Sequence, residues 1–289
     1  MISDSLRQNI RELLGQPIEK MQPVSGGSIN QAAKIITDDS QEFFLKWNNS
    51  APKDMFAKEQ KGLELLAQTD SGLQLPVVIG VGSTDAGTDF ILMTFIIEGN
   101  PHSDAHVAFG RQLAALHKNT ADQYGLDHHN YIGKLPQSNT RHQKWADFFI
   151  NERLQPQLRM AVDGGKLSSA IPGNFKKLYK QLPNMLTDEP PGLLHGDLWG
   201  GNYFFDADGE PAIYDPAVYY GNREIELAFT HLFGGFSTTF YDAYNEAWPL
   251  QPSFANRKDI YNLYPLLVHT NLFGGSYARQ VENIVQRFA

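Results

Sequence analysis

Leu193-Leu194-His195-Gly196-Asp197-Leu198-Trp199-Gly200-Gly201-Asn202, followed by Ala212-Ile213-Tyr214-Asp215-Pro216, are the segments on which the reading of this chain turns. Asp197 and Asn202 stand five residues apart, and Asp215 follows Asp197 by eighteen (215 − 197). A D-x-x-x-x-N spacing supplies a carboxylate to accept the proton of an attacking hydroxyl and an amide oxygen to hold a divalent cation on phosphates. The two glycines before Asn202 let the backbone turn tightly between those groups. Asp215 closes an apolar, strand-like run, where a second metal ligand is wanted. Magnesium takes oxygen ligands and few of them from protein, completing its shell with phosphate and water. Singly, Asp197 and Asp215 read as turn aspartates beside glycines. The ordered set of His195, Asp197, Asn202 and Asp215 instead points to phosphoryl transfer from ATP, with Asp197 as catalytic base and Asn202 and Asp215 as Mg²⁺ ligands.

The rest of the chain sets bounds on that reading. Its 289 residues are enough for two lobes, each with a core. Hydrophobic residues at 42% and charged residues at 19% are ordinary globular composition and argue against disorder. The formal charge is −8 and no dense Lys/Arg block occurs, so neither nucleic acid nor an anionic membrane is an expected partner. An anionic nucleotide must then be held by local devices: a glycine loop, one lysine and bound metal. The absence of cysteine excludes disulfides and thiolate chemistry. The start, Met1 to Arg7, has no apolar core behind a basic segment, and the longest apolar stretch, Phe90 to Ile97, is too short to span a bilayer. A soluble cytoplasmic protein is expected; the sequence leaves its oligomeric state open.

Working along the chain, Asp4 to Leu14 reads as a capped amphipathic helix stopped by Gly15. Gly26-Gly27-Ser28-Ile29-Asn30 lies between strand-like segments. Backbone N–H groups of such a loop can cover phosphates, although as a lone motif it is as well read as a hairpin turn. Phe43-Phe44-Leu45-Lys46-Trp47 reads as a buried strand carrying one lysine. A buried lysine needs a partner. Glu59, three after Phe56 and four before Leu63, lies on the apolar stripe of a helix expected over Met55 to Ala67 and supplies one. A Lys46–Glu59 pair aims the ammonium at ATP phosphates, the strand-lysine to helix-glutamate arrangement of kinases. Phe90 to Ile97 is then the strand leading to the hinge, where backbone groups of Thr94, Phe95 and Ile96 meet adenine. Past Glu98-Gly99-Asn100-Pro101 the texture turns helical, over Ala105 to His117, Gln143 to Val162 and Asn174 to Leu182. The expected fold is α+β, protein-kinase-like and two-lobed: a small antiparallel-sheet N-lobe over 1–97 and a mostly helical C-lobe over 98–289. Leu232-Phe233-Gly234-Gly235 and Leu272-Phe273-Gly274-Gly275 read as two glycine-capped helix ends.

In this order, the glycine loop, Lys46, Glu59, His195-Gly196-Asp197, Asn202 and Asp215 resemble the aminoglycoside-phosphotransferase and choline-kinase branch of the kinase superfamily. More narrowly, Leu194 to Asn202, Asp215-Pro216-Ala217-Val218-Tyr219-Tyr220-Gly221-Asn222-Arg223-Glu224 and Leu232 to Phe236 resemble the fructosamine (ketosamine) kinases. Trp145 to Phe149 leading to Arg153-Leu154, and His269 through Tyr277, extend the likeness over nearly the whole chain. The resemblance implies transfer of the ATP γ-phosphoryl group to a sugar hydroxyl of a small-molecule ketosamine or glycated amine, a deglycation repair activity. Gly26, Gly27, Ser28, Asn30, Lys46, Glu59, Thr94, Phe95 and Ile96 then contact nucleotide, and Trp199 and His269 contact sugar. Ser28 stands where several relatives carry a redox-active cysteine, His231 where many have an acid, and Thr94 where many have glutamate. Gly196 in place of the protein-kinase arginine, and Asp-Pro-Ala in place of Asp-Phe-Gly, argue against a protein kinase. Open alternatives are an aminoglycoside- or choline-type kinase, a nucleotide-binding pseudokinase and a sugar-binding module, the last leaving the magnesium spacing unexplained.

Overall fold

The computed structural model describes residues 2–24 and 30–288. The first part holds α1 (Asp4–Leu14), β1 (Ile18–Val24), β2 (Gln31–Thr37), β3 (Glu42–Asn48), α2 (Met55–Ala67), β4 (Val78–Ser83) and β5 (Asp89–Thr94). The strands form one antiparallel sheet in the order β1-β2-β3-β5-β4. Helix α1 forms where expected because both ends are satisfied. The Ser3 side chain accepts from Leu6 N–H, and Gly15, in the left-handed region, returns its N–H to Arg11.

The sheet is covered on both faces. Leu6 and Ile10 of α1 pack with Ile35, Leu45, Phe90 and Leu92, while Met55, Phe56 and Leu63 of α2 pack with Ile91 and Met93. Strand β5 is therefore apolar at successive positions rather than alternating. Lys46 pairs in register with Ile91, so strand alternation brings it out on the α2 face. The reading of a strand from Phe90 to Ile97 is too long at its end. Pairing stops at Thr94, and Gly99 N–H already reaches Phe205 O at 2.8 Å in the helical part.

That part contains α3 (Ala105–His117), β6 (Asn130–Ile132), β7 (Leu135–Gln137), α4 (Trp145–Phe148), α5 (Gln155–Asp163), α6 (Ile171–Met185), β8 (Gly192–Leu194), β9 (Tyr203–Phe205), β10 (Pro211–Ile213) and β11 (Tyr219–Gly221). Five helices follow: α7 (Arg223–Thr230), α8 (Thr238–Ala247), α9 (Phe254–Tyr261), α10 (Leu263–Phe273) and α11 (Ser276–Gln286). Its core joins Trp145, Phe149, Phe175, Leu182, Tyr261 and Val281. The whole is a two-lobed, protein-kinase-like α+β fold.

Two helical expectations need correction. Gln143 to Val162 is not one regular helix, because Phe149–Leu154 widens to π-type hydrogen bonding between α4 and α5. The added residue turns Arg153 inward, where it is fully buried 3.9 Å over the Tyr219 ring and donates to Asn139 Oδ1 at 2.8 Å. The glycine-capped end expected at Leu232 to Gly235 is instead a short tight turn after α7 has stopped at Thr230, with Phe233 itself left-handed. Its echo does end α10, where Gly274 has φ 68° and bonds back to Thr270 O at 2.9 Å.

Candidate active site

The catalytic-loop segment runs between β8 and β9, two short strands whose partners are β11 and β10. Asp215 therefore emerges from β10 close to the loop that carries Asp197. Within that loop Asn202 Nδ2 donates to Asp197 O at 2.8 Å and to Asp197 Oδ2 at 3.1 Å, holding the carboxylate against the turn. Gly196 has φ 85°, and a Cβ there would lie 2.1 Å from Ala217 O. Only glycine fits that left-handed, crowded position. Asp215 also has positive φ, 59°, an uncommon conformation for a non-glycine that clusters at functional sites.

Lys46 Nζ joins the lobes. It donates to Glu59 Oε1 at 2.6 Å, as the sequence predicts, and also to Asp215 Oδ1. Burial works against its charge, but the Asp215 and Glu59 carboxylates outweigh that penalty and hold the ammonium protonated. Asp197 lies well above the usual carboxylate range, first because it is buried and then because Asp215 is charged nearby. The Asn202 hydrogen bond only partly offsets this.

Positioning of the loop depends on residues the sequence did not single out. Glu226 of α7, buried, accepts from His195 N–H at 3.0 Å, Gly196 N–H at 2.6 Å and His117 Nε2 at 2.8 Å. Burial opposes its ionisation, yet the hydrogen bonds from His117 and the Gly196 N–H hold it below the ordinary value. His195 lies on the neutral side, first because it is buried. Its Nε2–H donates to Tyr214 O at 2.9 Å and its Nδ1 accepts Asp197 N–H at 3.3 Å, so one ring spans the catalytic loop and the approach to Asp215. Glu224 and Glu226 are two apart, on nearly opposite sides of the helix, and α7 buries both.

Gly26, Gly27 and Ser28 lie outside the described residues. Asn30 Oδ1 accepts from Asn48 Nδ2 at 2.9 Å beside the start of β2. At the end of β5 the Thr94 hydroxyl accepts Val77 N–H at 2.9 Å, and Phe95 N–H is taken by Glu42 O at 3.2 Å. Of the three hinge N–H groups, Ile96 alone has no backbone acceptor among the described residues. His269 and Asp197 line one small cavity with Gly196, Tyr219, Phe229 and Tyr264. Trp199 connects to His269 through Phe233.

Asn202 and Asp215 suit a magnesium ion. Asn202 uses its Nδ2 on Asp197, so its oxygen is the group left to offer, and Asp215 Oδ2 remains beside the oxygen that meets Lys46. One carboxylate and one amide oxygen match a cation that keeps water and phosphate ligands.

The fructosamine kinase family profile matches residues 2–289. The chain belongs to the fructosamine kinase family. Among its relatives, a candidate ketoamine kinase of Synechocystis sp. is 38% identical over 98% of this chain and 95% of its own. A chloroplastic protein-ribulosamine 3-kinase of Oryza sativa subsp. indica is 37% identical over 99% of this chain and 83% of its own. The crystal structure of a candidate fructosamine-3-kinase from Thermobifida fusca YX-ER1 superposes with a TM-score of 0.88 at 31% identity, covering 99% of each chain. Among the described residues of this fructosamine kinase family member, no helix is long and apolar enough to cross a membrane.

Proposed function

We propose that this chain transfers the γ-phosphoryl group of Mg·ATP to a sugar hydroxyl of a ketosamine. The observation that carries the reading is the charge constellation at the cleft: one buried ammonium, Lys46, held by Glu59 and Asp215 opposite a loop in which Asn202 fixes Asp197. Residues 1–97 form the lobe that covers nucleotide, with 94–96 against adenine. Residues 98–289 carry the catalytic and acceptor groups. Thr94 O and Ile96 N–H are the adenine partners we favour, because the sheet already uses Phe95 N–H.

Lys46 orients the phosphates, and Glu59 keeps its ammonium in place. Asp197 receives the hydroxyl proton as the oxygen attacks phosphorus. Asn202 donates to its Oδ2, which leaves Oδ1 for that proton. Asn202 and Asp215 would hold the magnesium ion, which supplies charge neutralisation to the transferring phosphate. Because the phosphoryl transition state is loose, most of the catalysis is positioning and electrostatics. Trp199 and His269 line the acceptor side. His269 Nδ1 is bonded to Pro265 O at 2.8 Å, so Nε2 is the atom left for a sugar hydroxyl. A cytoplasmic setting, as expected from the sequence, supplies the ATP this reading needs.

The test is ADP release with Mg·ATP on a fructosamine, a ribulosamine, choline and an aminoglycoside. Turnover confined to ketosamines, and reduced about 10²–10⁴-fold in kcat by Asp197→Asn, is the expected result. Turnover of choline or the aminoglycoside instead would replace the acceptor class. Near-normal kcat in Asp197→Asn would remove Asp197 from its role.

A further inference from the structure

Phe233 holds a backbone conformation that bulky side chains avoid, φ 61° and ψ 37°. Gly234 and Gly235, which follow it, also have positive φ, and a third glycine would fit the turn with less strain. The ring kept there is 40% exposed. It meets His269 at 4.8 Å, and Trp199 and Tyr277 edge-on at 6.0 Å each. His269 extends the array to Tyr277 at 5.0 Å and to exposed Phe273 at 5.6 Å. A wall of rings thus runs outward from Trp199, two residues beyond Asp197.

The charges around this wall narrow what it fits. Elsewhere guanidinium and ammonium groups already cover aromatic faces, Arg153 on Tyr219, Arg223 on Trp248 and Lys34 on Phe95. Among the described residues no such cation lies over Trp199, Phe233 or Tyr277. Burial keeps His269 on the neutral side, so the wall itself carries no positive charge. The carboxylates lining the adjoining cavity are Asp197 and Glu226, and Glu226 is fully occupied by the catalytic loop and His117. With Asp197 engaged by the sugar hydroxyl, an alkylammonium at this wall meets aromatic rings, whose π faces attract cations.

Resting on the ketosamine reading above, we propose that Phe233, with Trp199 and Tyr277, forms a π-lined seat for the protonated amine of the acceptor. The sugar hydroxyl then lies at Asp197, the ammonium lies against the rings, and the amine's substituent leaves past Phe273 towards solvent. Charge on the acceptor nitrogen becomes a specificity determinant, read without an ion pair.

The experiment compares two acceptors at pH 7 with Mg·ATP: N-propyl-1-amino-1-deoxyfructose and 1-O-propylfructose, in which an ether oxygen replaces the ammonium. Wild type, Phe233→Leu and Phe233→Tyr are assayed for kcat/KM on each. Wild type is expected to prefer the amine. Phe233→Leu is expected to shrink the amine-over-ether preference about 5- to 30-fold, mainly through KM, the range expected for a cation over a ring. Phe233→Tyr, which keeps the ring, is expected to retain the preference. Equal losses on both acceptors in Phe233→Leu would assign Phe233 to packing and overturn the seat. So would an active wild type with no preference, a result that stands even if Phe233→Leu does not fold. A wild type inactive on both acceptors would remove the ketosamine reading, and the seat with it.

Discussion

Replacing Glu226 with glutamine changes one oxygen for an NH₂ group at the point where α7 grips the catalytic loop. In the wild type, Oε1 accepts the Gly196 N–H, and Oε2 accepts both the His195 N–H and His117 Nε2. A glutamine keeps one acceptor oxygen and sets two donors in place of the other. If the NH₂ lies on the His117 side, that histidine can change tautomer. Its Nδ1 is 2.8 Å from Tyr244 Oη and can donate there while Nε2 accepts. The His195 N–H is then left facing a donor. If the amide is turned over, the Gly196 N–H is left instead. Either way one buried backbone donor loses its acceptor, at about 1–3 kcal/mol. For a chain of this size we predict a fall in Tm of roughly 4 °C for a loss of about 2 kcal/mol. The same N–H groups set the backbone that carries Asp197, so kcat falls. The KM for ATP moves less, because Lys46 and Glu59 are untouched. Thermal melts and steady-state ADP release on one ketosamine measure both effects. A Tm within about 1 °C of wild type, with kcat within about twofold, would refute the argument that Glu226 positions the loop, since a lost buried bond cannot be so cheap.

The acid limb of stability tests the same carboxylate. Its pKa is below the unfolded value, so its contribution is present above that value and lost as pH falls through the folded pKa. Chemical denaturation from pH 7 down to pH 3 is expected to show Glu226→Gln converging on wild type at the acid end. Lys46→Met leaves the buried Glu59 carboxylate without its cation, a loss of about 3–5 kcal/mol on breaking such a pair. Adding Glu59→Gln is expected to restore part of the Tm but none of the ATP affinity, read by nucleotide titration. Gly196→Ala must move either the loop or Ala217, whose carbonyl sits 2.1 Å from the new Cβ. We expect kcat to drop at least 10²-fold, the scale of a displaced catalytic group, and a normal kcat would show that the loop has slack.

Much of this architecture was legible because its signals are local. Ser3 and Gly15 bracket α1, and the stripe through Phe56, Glu59 and Leu63 gave α2 together with the partner of Lys46. What escaped depends on contacts distant in sequence. The Lys46–Asp215 bond joins residues 169 apart, and no periodicity encodes it. Glu226 was hidden because α7 is buried all round, with Glu224 taken by Arg257 and Arg223 by Glu189. The π turn at Phe149–Leu154 escaped because one extra residue leaves the apolar pattern nearly intact while redirecting Arg153. The end of β5 was misplaced because Phe95 to Ile97 stay apolar beyond the last pairing.

The shared position of Lys46 bears on how the cleft fills. An ammonium already answered by two carboxylates is not a vacant socket. On the proposed reading, the triphosphate takes the place of Asp215 on this ammonium, and that aspartate would be free to hold the metal. Loading would then be an exchange of partners rather than a simple addition. A chain of formal charge −8 would thereby accept a polyanion through one buried cation.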